Sequence, residues 1–276
     1  MKDITIGQYY PTNSIIHNLD PRVKLFGTMI LIISLFITNS FLSYLLVGLA
    51  LCLTIRLSKI PLKTLLQGLK AIFILLLISV SFNLFLTDGK VLVQFFIFKI
   101  TDEGIRRALF IAIRLAFLVI GTSIMTLTTT PNDLSDALEK SFHFLTRFRV
   151  PVHEIAMMMS IALRFIPILM EETDKIMKAQ KSRGADFESK GLMNKAKALI
   201  PLLVPLFVSA IRRAVDLANA MEARCYRGGN GRTKMKPLHY KKADKYTYGI
   251  YVVYLIAVIA IDWGLSAIPA LQIFHI

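Results

Sequence analysis

Two arginines stand in near-identical settings in the C-terminal half of the chain. Ser182-Arg183-Gly184 closes one long apolar-faced run, residues 152–180, and Ala223-Arg224-Cys225 closes a second, residues 192–222. An arginine followed by glycine is also how an ordinary helix ends, with a cation favoured by the dipole and glycine in the left-handed position. Recurrence sets these two apart: the small-Arg-small triplets lie 41 residues apart, with acidic Asp186 and Glu222 close by. Two helices meeting near their ends would present both guanidiniums at one tip. Arginine is the residue suited to bidentate grips on carboxylates in a partner's groove.

Catalytic chemistry is poorly represented. His153-Glu154-Ile155-Ala156-Met157 opens like a zinc-protease helix, but the position of the second imidazole is Met157, and one histidine with a base does not hold catalytic zinc. His17, His143, His239 and His275 are scattered without ligand spacing, and neither a G-x-S-x-G nor a Walker A sequence occurs. Gly228-Gly229-Asn230-Gly231-Arg232 is glycine-rich but joins no strand to a helix, so it reads as a turn after the second run. Cys52 and Cys225 give neither metal spacing nor a disulfide framework. No catalytic residue, metal site or cofactor is expected in this chain.

What must position the arginines is a membrane protein. Of 276 residues 55% are apolar and mean hydropathy is +0.58, which excludes an ordinary soluble domain. The net charge of +15 sits in particular loops and is not interleaved with aromatics in a polar domain, so it points to membrane orientation and not to nucleic acid. No charged residue occurs from Leu25 to Ile55; 31 residues of helix span about 46 Å against a hydrocarbon core of about 30 Å. Thr38-Asn39-Ser40 therefore predicts a tight turn between two short spans, residues 25–38 and 41–55. A basic loop with Arg56, Lys59, Lys63 and Lys70 leads to a third span, 71–86, and a fourth covers 105–128. The intervening loop, 88–103, holds a β-prone stretch at 91–98. The first two dozen residues are of mixed polarity and lack the pattern of a secretory leader.

The segment 131–245 holds 21 Lys+Arg against 12 Asp+Glu, which assigns it, the N-terminus and the Arg56–Lys70 loop to the cytoplasm by the positive-inside rule. It opens on Thr130-Pro131-Asn132-Asp133, a threonine cap, proline and an acid, predicting a helix to about Arg147 that stops before Pro151. Residues 155–170 and 198–211 are too interrupted, by Arg164 and by Pro201 and Pro205, to read as spans; they are expected to lie along the headgroup layer. Residues 246–276 carry a last span, 248–267, placing the C-terminus outside. The expected architecture is an all-α polytopic membrane protein of about five transmembrane helices, with a cytoplasmic coupling domain of long amphipathic helices.

Ala210, Ala214 and Ala218 recur every fourth residue, as do Ala108, Ala112 and Ala116, giving flat faces for close helix approach. Arg114 lies opposite the second of these at mid-span, where an arginine costs about 2.5–3.5 kcal/mol on insertion scales. It either snorkels to the outer interface or pairs inside the bundle. Met157, Met158 and Met159 form a pliable patch, which fills a core or receives several different partners.

With these residues on view, the chain resembles the transmembrane T component of energy-coupling factor (ECF) transporters, the EcfT/CbiQ family. The likeness is carried by Ser14–Leu25 (SIIHNLDPRVKL), by ALRFIP at 162–167 with Glu171 and Glu172, by QKSRGAD at 180–186, and by PLLVPLFVSAIRRAVDLANAMEARCYRGG at 201–229. The family's two Ala-Arg-Gly motifs match Ser182-Arg183-Gly184 and Ala223-Arg224-Cys225, with serine replacing alanine in the first and cysteine replacing glycine in the second. The resemblance implies a non-catalytic subunit of the prokaryotic cell membrane. Such a subunit holds two cytoplasmic ABC-type ATPases, which bind the ATP and Mg, and a small membrane-embedded S component that captures a vitamin or other micronutrient. It implies that Arg183 and Arg224 dock one ATPase each and makes Met157, Met158 and Met159 a candidate S-component contact. The competing reading is a stand-alone permease with its own substrate site among the spans. Beyond Arg114, mid-membrane polar residues for such a site are few.

Overall fold

A computed structural model of the chain describes residues 9–38, 40–87, 89, 91–95, 98–185, 192–228 and 237–266. The elements run α1 (Pro21–Ile37), α2 (Phe41–Ser58), α3 (Leu62–Leu86), β1 (Val91–Phe95), β2 (Phe98–Thr101), α4 (Asp102–Thr128), α5 (Pro131–Ser141), a 3-10 helix (His143–Phe148), α6 (Val152–Ser182), α7 (Leu192–Ala223) and α8 (Lys242–Ser266). They divide into two units. One comprises the chain up to Ala137 together with Leu238 onward; the other is Leu138–Pro237.

The first unit packs α1, α2, α3, α4 and α8. Its core is Leu35, Tyr44, Val47, Leu51, Ile60, Leu65, Ile124, Leu127 and Val258, drawn from all five helices and the α2–α3 turn. The starts are set by local chemistry. Asp20 caps α1 with Pro21 at the first helical position, Ser40 caps α2, and Thr101 caps α4 ahead of Asp102 and Glu103. The α1–α2 break falls where Thr38 and Ser40 were expected to make it, and both residues are fully buried. The β-prone stretch forms a two-stranded antiparallel hairpin with Phe95 opposite Phe98. Where it joins α4, Gly104 lets the α3 and α4 backbones meet: a Cβ there would stand 3.0 Å from the Leu84 carbonyl oxygen.

By length and apolar composition α2, α4, α6 and α8 each qualify as membrane-crossing helices. The two segments of α3, Leu62–Lys70 and Ile72–Leu86, qualify together as one span bent by 59°. Helix α1, at 17 residues, covers about 25 Å. Exposed apolar side chains crowd these helices, among them Leu45, Leu49 and Leu53 on α2 and Val252, Val253 and Ile256 on α8. In a bilayer this surface is the lipid contact; on a soluble monomer it would drive association.

Three expectations are revised in detail. The basic loop before residue 71 is helical from Leu62. The helix expected to run to Arg147 ends at Ser141, because the aromatic and β-branched run FHFLTRF is a poor helix former and tightens into 3-10 geometry, closed by Arg149 at φ 61°. Helix α6 meets the crossing criterion despite Arg164, since one charge in a long apolar window does not disqualify it.

Candidate docking site

The second unit is built on α6 and α7, which pack against each other and are joined by Arg213, whose Nη2 donates to Glu172 Oε2 at 2.9 Å. Arg183 lies eleven residues beyond Glu172, and Arg224 lies eleven beyond Arg213. Each arginine is thus about 16 Å along its helix from the ion pair.

The two helix ends are the same structure. On α6 the Ala185 N–H donates to the Gln180 carbonyl at 3.0 Å and the Gly184 N–H to Lys181 at 3.0 Å. On α7 the Tyr226 N–H donates to the Met221 carbonyl at 3.0 Å and the Cys225 N–H to Glu222 at 2.8 Å. This paired six-to-one and five-to-two bonding is the Schellman motif, and it puts Arg183 and Arg224 at the identical last helical position. The residue after each is left-handed, Gly184 at φ 88° and Cys225 at φ 55°. Ser182, Arg183, Gly184, Ala223, Arg224 and Cys225 are all exposed. The closing turns bond the Gln180 and Lys181 carbonyls on α6 and the Met221 and Glu222 carbonyls on α7, and use backbone groups alone. Asp186 lies outside the described residues.

Cys225 occupies a conformation that costs an L-residue roughly 1–2 kcal/mol and glycine nothing. Cys225→Gly is expected to stabilise the turn by about 1 kcal/mol and to slow hydrogen exchange at the Cys225 and Tyr226 amides. Unchanged or faster exchange would contradict the strain assigned to this position.

At the opposite end of α6, Met158 and Met159 are exposed and Met157 is half-buried, which makes the patch a surface and not core filling. It lies about 36 Å up the helix from Arg183. The neighbouring His153 is a strut: its Nδ1 is 2.9 Å from Glu139 Oε1 of α5, tying the end of that helix to the start of α6. Among the described residues no cluster of three or more His, Cys, Asp or Glu is placed to hold a metal ion. Ala214 and Ala218 of the flat α7 face are exposed, so that face is open among the described residues.

In the first unit, the N-terminal motif that carried part of the family likeness is a clasp between distant parts of the chain. Asp244, fully buried, accepts from the Asp20 N–H at 2.9 Å and from the Lys241 N–H at 2.7 Å. Asp20 in turn holds Arg22 through Nε at 3.0 Å and Nη2 at 2.9 Å, and the guanidinium stacks on the Tyr240 ring at 3.8 Å. His17 Nε2 is 3.0 Å from the Tyr10 carbonyl and Nδ1 is 2.7 Å from Ser14 Oγ. The ring therefore donates through Nε2 and accepts at Nδ1; burial lowers its pKa and keeps this neutral form. Arg114 pairs inside the bundle: Nε donates to the Tyr44 hydroxyl at 2.7 Å and Nη2 to the Thr38 carbonyl at 3.0 Å. Asp262 of α8 accepts from the Ser40 N–H at 3.1 Å at the same turn.

Comparison with known proteins follows the same lines. The family model described as CbiQ, cobalt transport protein, matches residues 12–235. The energy-coupling factor transporter transmembrane protein EcfT of Ruminiclostridium cellulolyticum is 50% identical over 263 residues, covering 95% of this chain and 98% of that one. Its counterpart in Clostridium kluyveri is 54% identical over 246 residues, covering 88% and 91%. That of Bacillus subtilis is 44% identical over 245 residues, covering 88% and 92%.

Proposed function

Because this chain belongs to the EcfT/CbiQ family, the transmembrane proteins of energy-coupling factor transporters, we propose that its two arginine-capped helix ends are the grips of two cytoplasmic ABC-type ATPases. The subunit itself is a non-catalytic, multi-pass membrane protein. ATP and Mg belong to the ATPases, and the vitamin or other micronutrient belongs to a separate S component. Movement of the ATPases is passed through α6 and α7 to that S component, for which the methionine patch of α6 is the contact surface.

The observation that carries this reading is duplication: two helices, one closing motif, one exposed arginine at the same position in each. An exposed guanidinium at a helix end is accessible to a partner, and a carboxylate-lined groove takes it in bidentate fashion. The basic surplus of residues 131–245 supports a cytoplasmic location for these ends and the N-terminus, with the C-terminus outside. Helix α6 is long and apolar enough to cross, but its charged C-terminal half and its ion pair with α7 favour both helices lying along the inner headgroup layer, apolar faces toward lipid.

Gentle detergent purification of the tagged protein from its own membranes, with mass identification of what accompanies it, tests the reading. Two ATPase chains and at least one small hydrophobic partner are expected. A chain that stays alone in milder detergents and in lipid discs, and moves substrate unaided, would replace the coupling subunit with a stand-alone permease.

A further inference from the structure

The unit containing α1, α2, α4 and α8 encloses a cavity of about 320 Å³, at the small end of ligand pockets. Its wall is largely aliphatic. The rim reaches the outer surface at Ile15, Leu53 and Ile250, which are 65%, 56% and 64% exposed. The floor is made by buried Leu51, Ile124 and Thr128. Around a rim of this kind the solvent is the acyl region of the bilayer, so the molecule that meets it is a lipid.

Polar groups gather toward one end; Tyr254, deeper in the wall, has its hydroxyl taken up by Ser34 at 2.9 Å. Along α1 the wall is Lys24, Gly27, Thr28 and Leu31, one helical face ordered from charged to apolar. The buried Lys24 ammonium gives one proton to the His17 carbonyl at 3.0 Å and one to the Thr128 carbonyl at 2.8 Å. One of its three donors remains. A turn further on, the Tyr251 hydroxyl lies against Gly27, where any Cβ would collide with it, and among the described residues it makes no hydrogen bond. Arg56 and Lys59 stand exposed at the end of α2, next to Thr54 and Leu57 of the wall.

We propose that this cavity holds an acyl chain of one anionic membrane phospholipid, with its phosphate against Lys24 and an ester oxygen receiving the Tyr251 hydroxyl. The order of groups along α1 is the order along such a lipid: charge, ester, hydrocarbon. The proposal is independent of how the ATPases dock.

The test uses the full chain in mild detergent, stripped of lipid and titrated with palmitoyl-oleoyl phosphatidylglycerol or phosphatidylcholine, with bound lipid counted by native mass spectrometry. One phosphatidylglycerol per chain is expected, held about fivefold more tightly than phosphatidylcholine. Ala50→Phe, which fills the cavity, is expected to remove retention of both, and Lys24→Gln to bring the two lipids level. Should Lys24→Gln fail to fold, Tyr251→Phe is the milder probe: it is expected to weaken both lipids, since both carry the ester, and to leave phosphatidylglycerol the tighter of the two, and unchanged retention of both would overturn the ester contact. Equal retention of the two lipids by the unmodified chain overturns the proposal, as does full retention by a folded Ala50→Phe.

Discussion

Arg183→Glu combined with Arg224→Glu is expected to abolish uptake through the assembled transporter while leaving the chain inserted in the membrane. Removing one member of a desolvated charge pair at an interface costs about 2–5 kcal/mol, or roughly 30-fold to several thousandfold in affinity per site. Reversal adds repulsion to that loss. Both arginines are exposed and take no part in the Schellman bonding, which is wholly backbone, so the helix ends should survive the change. Each single Arg→Lys variant keeps a charge but forfeits the two-pronged geometry and is expected to retain part of the activity. ATPase retained on the purified complex, measured beside uptake, separates docking from folding. Near-normal uptake in the double variant would end the docking claim.

The second large effect lies in the other unit. Asp244→Ala is expected to destabilise the membrane bundle by about 3 kcal/mol or more, since two charge-assisted hydrogen bonds at roughly 1.5–3 kcal/mol each are lost. The Asp20 N–H would be left buried and the carboxylate tie between the starts of α1 and α8 lost, leaving the Arg22–Tyr240 stack there. A drop of about 6–12 °C in the unfolding midpoint in detergent is the corresponding observable. Asp244→Asn keeps an acceptor and should fall between the two. A midpoint within 2 °C or so of the parent for Asp244→Ala would show that the clasp is dispensable.

Local chemistry could be read directly along the chain. The turn at Thr38 and Ser40, the Thr130 cap, the uncharged spans and the two triplets all depend on residues within a few positions of one another. Thr130 does bond Asp133, its Oγ1 accepting the N–H at 3.2 Å and donating to Oδ2 at 2.6 Å. What escaped is non-local. Asp244 and Asp20 are 224 positions apart, Ser40 and Asp262 are 222 apart, and nothing in either neighbourhood names the other. Arg114 could be seen to need a partner, but Tyr44 and a backbone carbonyl have no sequence signature. The Glu172–Arg213 pair was hidden for the same reason, although the charged residues of both helices were in plain view. Identical caps were half legible: Gly184 announces a left-handed residue, whereas Cys225 in that role does not.

On the docking proposed above, the Glu172–Arg213 junction would make each helix a lever with a fulcrum. From it the arm to the arginine is eleven residues on both helices, while the arm to the far end is 20 residues on α6 and 21 on α7. At 1.5 Å per residue the arms are about 16 Å and 30 Å, a gain just under twofold. A displacement of roughly 3 Å imposed at an arginine would thus swing the opposite end by at most about 6 Å. The prolines sit only on the output side, Pro167 in α6 and Pro201 and Pro205 in α7. The input arms are stiff rods, and whatever compliance the device has lies between the fulcrum and the load.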